Sequence, residues 1–359
     1  MKKNQLILGA IVLAALIGLG LYGQHRHPFD FRAFVEHFKR ANWTRIGIAV
    51  GCIYVGYLIR AVRWAVLIRA NKKVPLFSLL GSQVIGFTGV ALIGRVADLT
   101  RPYLVAKKTG LTISSQVAVY IVERLFDLGS MALIFSSVIL ISGAALPHPE
   151  VFRKVGYWGL AGTAAGIVFL TAIRLAGGAV ATFFEKSIGV LSKKLAMSVG
   201  DKIRSFRTGL NTLRSPAELL VTLGLSLTMW ILITVAYLET VRAFTAPELA
   251  SMTLAQGMVL LASSGVASAI QLPVVGWFTQ IGIVAGVLAN FFDVPPEAAT
   301  ACAATILGAT FLSIVPVGLI WAQFEHVSLR KVAVESEHAG EAVDGPAKDN
   351  PPIEEPSQA

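Results

Sequence analysis

Apolar positions along this chain do not alternate with polar ones; they run on, in blocks separated by short charged stretches. The blocks fall at residues 6–22, 45–70, 76–94, 115–143, 155–175, 216–241, 254–272, 274–292 and 298–323. Runs of about 18 or more residues with few charges read as helices that span a bilayer. Two blocks read differently. Residues 76–94 hold Ser78, Gly81, Ser82, Gln83, Gly86, Thr88, Gly89 and Gly94, and the basic residues Arg95, Arg101, Lys107 and Lys108 follow. A full crossing there would place those charges outside, against the bias of Lys and Arg toward cytoplasmic loops. A re-entrant hairpin that enters and leaves on one side satisfies both facts, and broken elements of this kind are tolerated where protein surrounds them. Residues 254–272 are also rich in small residues, and Pro273 and Gly276 interrupt the run that follows.

Between the first two spans, residues 24–44 are mixed. Phe31, Phe34, Val35 and Phe38 recur at helical spacing with Arg32, Glu36, Lys39 and Arg40 between them, which predicts an interfacial amphipathic helix with Trp43 as an anchor. The segment 177–215 carries Lys186, Lys193, Lys194, Lys202, Arg204, Arg207 and Arg214 and reads as interfacial helices on an anionic inner leaflet. Residues 335–359 are acidic, Pro-rich and poor in aromatics, which predicts a disordered tail. The expected organisation is a first span plus interfacial helix over 1–44, a transmembrane domain over 45–323 and a cytoplasmic tail over 324–359. The fold class is an all-α polytopic membrane protein of about seven to eight helices with two re-entrant segments. The first re-entrant unit begins on the inside and the second on the outside, the plan of an inverted repeat.

Composition agrees. Of 359 residues, 55% are hydrophobic and 14% charged, against about 25% charged in a soluble protein. The net charge of +10 fits cytoplasmic loops on anionic lipid, and with no finger spacing or soluble basic domain nucleic acid is not expected. The two cysteines, Cys52 and Cys302, each lie in an apolar run and read as structural. His25 and His37 have no acidic or Cys partner spaced to complete a metal site, and no P-loop or catalytic triad is present, so neither cofactor nor enzyme activity is expected.

One constellation stands against the apolar background. Arg60 and Arg63 lie three apart on one helix face, and Arg60 sits about 13 Å inward from Arg69. Arg95, Asp98 and Arg101 occupy the first corner. Glu123 and Asp127 are four apart beside Arg124, at the start of a long span. Five of these eight groups are cationic and three anionic. A surplus of guanidinium suits phosphate, which arginine grips with paired hydrogen bonds. Arg60, Arg63, Arg95, Arg101 and Arg124 are therefore candidate ligands for an anionic lipid headgroup, with Asp98, Glu123 and Asp127 orienting them. The competing reading is a charge network that pins the hairpin to its neighbouring spans. At the second corner the candidates are Pro273, Gly276 and Gln280.

The stretches IRAVRW, GRVADLTRPYLV, VERLFDL, FRTGLNTLRSPAELL and LPVVGWFTQIGIVAG, in this order and spacing, resemble the transmembrane, flippase-like region of lysylphosphatidylglycerol synthases, over residues 45–323. That region also stands alone in bacterial and archaeal membrane proteins. The resemblance implies about eight helices with re-entrant elements, movement of lipid between leaflets of the cell membrane, and cytoplasmic termini. It departs at the first corner, where the family pattern Pro-x-Arg-x-Gly-Glu-x-x-Arg has Ile93, Ala97 and Asp98 in place of Pro, Gly and Glu, while Arg95 and Arg101 match. The family's second-repeat Glu falls at Thr279 or Gln280. The chain past Gln323 is too short for an aminoacyl-transferase domain. The function expected is that of a translocator of a phospholipid or other anionic lipid; the alternative is a secondary transporter or channel for a small solute.

Overall fold

The computed structural model describes residues 29–69, 72–189, 197, 215–268 and 275–328. The first span expected at 6–22, most of the basic segment, Pro273 and the acidic tail lie outside the described residues. Those described form twelve α-helices: α1 (Phe31–Arg40), α2 (Trp43–Ile68), α3 (Leu76–Ile93), α4 (Thr100–Thr109), α5 (Ile113–Ser142), α6 (Pro149–Gly189), α7 (Pro216–Val241), α8 (Pro247–Ala250), α9 (Leu254–Ala267), α10 (Val275–Phe291), α11 (Pro296–Leu307) and α12 (Ile314–Phe324). The protein is an all-α polytopic membrane protein.

The helix starts follow local chemistry. Asp30 caps α1 by accepting from the amides of Arg32 and Ala33 at 2.8 and 3.2 Å. Asn42 caps α2 and Thr112 caps α5. Ser215 with Glu218, and Thr253 with Gln256, form reciprocal capping boxes at α7 and α9. Each satisfies amides that a helix end otherwise leaves unpaired. In α6 the helical run is interrupted at Ala176, whose backbone is not helical (φ −132°, ψ 35°).

Two ends of the bundle can be identified from contacts. At one, Asn42 donates its amide to the Ala243 carbonyl at 2.7 Å, Asp30 to Glu297 at 3.1 Å, and Arg242 reaches the Met252 carbonyl at 2.8 Å. At the other, Lys72 Nζ donates to the Thr109 carbonyl at 2.7 Å and Lys108 pairs with Glu325 at 2.6 Å. The second end also carries Arg69, Lys73 and Lys107 with few carboxylates, and is called the basic end; at the far end Arg32, Lys39, Arg40, Arg45, Arg153, Lys154 and Arg242 stand among as many carboxylates. Helix α1 is more than an interfacial float: Phe34 and Phe38 pack against the core cluster at the far end, beside α11.

Residues 76–109 fold as an antiparallel helical hairpin. Helix α3 is about 27 Å long at 1.5 Å per residue, and its small residues do not break it. The break comes at Gly94, whose φ of 84° ends the helix in a conformation that side chains disfavour. A 3₁₀ turn, Arg95–Leu99, reverses the chain and α4 returns. Lys108 Nζ donates to the Ser78 carbonyl at 3.2 Å, so the hairpin enters and leaves at the basic end. The glycines of α3 serve packing. A Cβ on Gly86 would collide with Arg101 Cγ, and one on Gly89 would come within 3.3 Å of Ala97 Cβ.

A second hairpin, α9 and α10, enters from the far end. Gln280 Nε2 donates to Ser264 Oγ at 2.6 Å across it, and Tyr237 of α7 donates to the same oxygen at 2.8 Å. Each hairpin leads into a long crossing segment: α5 after the first, α11 through α12 after the second. The last crossing is not uniform. A π turn, Gly308–Leu312, joins α11 to α12, with the Ser313 amide bonded to the Gly308 carbonyl at 2.8 Å. Helix α11 packs on the second hairpin and α12 on the first. The inverted arrangement read from the sequence is thus visible in the order and direction of the elements.

Candidate functional site: a buried arginine cluster

The charged residues converge where α2, α5, α7 and the first hairpin meet. Glu123 and Asp127, one turn apart on α5, are both buried. Arg63, fully buried, bridges them: Nη2 lies 2.6 Å from Glu123 Oε1 and Nη1 2.6 Å from Asp127 Oδ1. Arg63 Nη1 also donates to Ser226 Oγ of α7 at 2.7 Å. Arg60, one turn along α2, meets Asp127 at 3.1 Å and Glu123 at 3.7 Å. From the hairpin, Arg101 Nη1 meets Glu123 Oε2 at 3.0 Å and Gln83 Oε1 at 3.0 Å. Arg124 is looser, 3.9 Å from Asp127 and with a third of its side chain exposed.

Two carboxylates therefore face four guanidinium groups, a surplus of two positive charges in a largely buried region. A buried charge without a partner costs several kcal/mol, so the surplus needs other support. Part comes from aromatic faces. Arg101 Cζ lies 4.4 Å from the centroid of Phe87, 5.1 Å from Tyr120 and 5.7 Å from Trp64. Arg60 shares Phe87 at 5.0 Å, and Arg124 shares Tyr120 at 5.1 Å. Such cation–ring contacts are worth about 0.5–2 kcal/mol each. Trp64 is itself fixed by donating Nε1 to Gln116 Oε1 at 3.0 Å. Hydrogen-bond demand is not met. Arg101 Nε and Nη2, Gln83 Nε2, Arg63 Nε and Arg124 Nε are buried donors with no acceptor among the described residues.

Of the residues picked from the sequence, Arg60, Arg63, Arg101, Arg124, Glu123 and Asp127 come together. Asp98 sits half-buried at the corner, and no ion pair joins it to Arg60, Arg63, Arg101 or Arg124. Arg95 lies in the 3₁₀ turn, and its side chain is outside the described residues. Gly276 is buried in the first turn of α10, and Gln280 bonds Ser264 within the second hairpin, apart from the arginines.

Over residues 6–318 the chain matches the family model of the lysylphosphatidylglycerol synthase TM region. The chain belongs to this family. No curated protein matches it in sequence. In this member of the lysylphosphatidylglycerol synthase TM family, both corner arginines are present in the sequence, and Arg101 takes part in the cluster. The position of the family's second-repeat Glu falls at Thr279 or Gln280, in a neutral hydrogen-bonded site beside Ser264 and Tyr237. Gln83, Trp64, Phe87, Gln116, Tyr120 and Ser226 also line the cluster and are not among the site candidates picked from the sequence. Gln83 and Gln116 carried a signal, since an amide within an apolar helix is costly unless bonded.

Proposed function

We propose that the protein moves an anionic lipid between bilayer leaflets, with the headgroup received at the arginine cluster. The observation that carries this reading is the surplus of buried guanidinium together with its unaccepted N–H groups. A network built only to hold helices together tends toward charge balance and filled hydrogen bonds. A phosphate supplies both the missing charge and the missing acceptors. The broken-helix plan, with hairpins entering from opposite ends, supports translocation, because such elements line substrate paths in transporters. The Lys and Arg of the turns at the basic end, together with the seven in the sequence of residues 177–215, which leads from α6 into α7, favour that end as cytoplasmic, in a bacterial or archaeal cell membrane. On this reading the chain transports and performs no aminoacyl transfer.

The test is reconstitution of the full chain in liposomes and measurement of lipid exchange between leaflets. Arg60→Gln and Arg101→Gln proteins that fold should exchange anionic lipid more slowly than wild type and leave zwitterionic lipid unaffected. Equal rates for anionic lipid in wild type and both variants would remove the reading. Transport of a small solute driven by a proton gradient, with no lipid exchange, would favour the solute-transporter alternative.

A further inference from the structure

The basic end carries cations that the buried cluster does not use. Arg69, Lys72, Lys73 and Lys107 are exposed, and none forms an ion pair among the described residues. No carboxylate occurs in residues 69–81 or 102–122. Hydrogen bonds hold this rim together: Lys72 Nζ donates to the Thr109 carbonyl at 2.7 Å and Lys108 Nζ to the Ser78 carbonyl at 3.2 Å. One carboxylate is already seated on it. Glu325, just past the end of α12, pairs with Lys108 at 2.6 Å and accepts from Trp321 Nε1 at 3.0 Å.

The chain then turns onto the same hairpin. His326 has a φ of 53°; its amide donates to the Gln323 carbonyl at 3.1 Å, and the Val327 amide donates to the Ala322 carbonyl at 2.8 Å. These bonds make a Schellman turn, and Val327 packs with Ile85 of α3 and Leu104 of α4. Past this point the sequence becomes acidic, with seven carboxylates against one lysine, Lys348, in residues 335–355. Glu335 is seven positions past Ser328, a reach of at most about 25 Å. A tether this short gives an effective concentration on the order of mM, so weak pairing suffices. We infer that the basic end is a docking surface for the chain's own residues 335–355, which continue the contact begun by Glu325 and screen the rim of the first hairpin from anionic lipid. An anionic leaflet repels the same segment, which favours the protein's cations as its partner. The docking stands apart from the transport reading; the screening rests on it.

The test uses the full chain lacking Cys52 and Cys302, with Ser114→Cys near the rim and Ala342→Cys in the acidic segment, in nanodiscs of zwitterionic lipid. Its comparison also carries Glu335→Gln, Glu337→Gln, Glu341→Gln and Asp344→Asn. The disulfide should form at least about fivefold faster with the acidic segment than with the neutralised one at about 0.1 M salt, where charges act over about 10 Å, and the rates should converge at about 1 M, where they act over about 3 Å. Equal rates at the lower salt overturn the docking. A ratio present in zwitterionic discs and lost in discs containing phosphatidylglycerol assigns the face to anionic lipid and overturns the acidic segment as its occupant. A chain ending at Val334 should exchange anionic lipid faster than the full chain and zwitterionic lipid at the same rate; equal rates for anionic lipid overturn the screening. Lipid exchange by neither chain overturns the transport reading and the screening with it, while the cross-linking ratio decides the docking alone.

Discussion

Trp277 donates its indole N–H to the carbonyl of Ala91 at 3.1 Å, although the two residues are 186 positions apart. Ala91 lies in the last turn of α3 and Trp277 in the first turn of α10. The bond thus joins the tips of two hairpins that enter the bundle from opposite ends. Trp277→Phe keeps an aromatic ring and removes the donor. It should lower stability by about 1 kcal/mol, slow lipid exchange and leave headgroup binding unchanged. Thermal unfolding, exchange and binding assays on one preparation check the three parts.

Ion pairs in this protein should differ widely in worth. Asp127→Ala leaves Arg63, fully buried, without one of its two carboxylate partners and Arg60 without its nearer one. The loss should be about 3–5 kcal/mol. Glu325→Gln breaks the Lys108 pair, whose side chains are 22% exposed, and should cost about 1 kcal/mol or less. Melting temperatures in detergent would rank the two; a larger effect at Glu325 would contradict the burial argument.

Glycines here should also sort by what lies opposite. Gly86→Ala forces a methyl group into the Arg101 side chain and should cost about 1–3 kcal/mol, with loss of exchange activity. Gly318→Ala meets Thr88 in the same way. At Gly162 and Gly166 an added methyl group meets nothing within 4 Å. Alanine at those two positions should leave melting unchanged or slightly raised.

The path of the first hairpin can be tested by labelling single cysteines in a chain lacking Cys52 and Cys302. Lys73→Cys and Thr112→Cys, both exposed at the basic end, should react from the same side of the membrane. Ser251→Cys and Asp293→Cys, exposed at the far end, should react from the other. Ala97→Cys, at a fully buried position, should be protected from both. Labelling of Lys73→Cys and Thr112→Cys from opposite sides would mean that residues 76–109 cross the membrane.

Much of this architecture was legible in the sequence because a bilayer makes long apolar runs unambiguous. The run at 216–241 became α7 with the same bounds, and the final run became α11 through α12. The charged cluster was legible too, since Arg60, Arg63, Glu123 and Asp127 have few ways to be stable in such surroundings except together. Less legible was the role of the small residues in α3. Their density reads as a weak or broken helix, yet the helix is whole, and Gly86 and Gly89 make room for the returning helix and the 3₁₀ turn before it. The aromatic cage was hidden for a related reason. Phe87, Tyr120 and Trp64 sit in apolar runs where aromatic residues are ordinary, and only the tertiary fold turns their faces toward Arg101.

The π turn at Gly308–Leu312 has a consequence for how the chain tolerates changes in length. A π turn accommodates one residue more than an α turn within the same helix, so the helices on either side continue along one path. Removing Ala309 should let the turn close to an ordinary α-helical one, with Gly318 still against Thr88 and α11 still against α10. The same deletion a turn away, at Thr305 or Val317, has no such slack to draw on and would rotate everything beyond it by about 100°. Length can therefore vary at this one point of the final crossing without disturbing either hairpin, whereas elsewhere along it a single residue sets the facing of the whole helix.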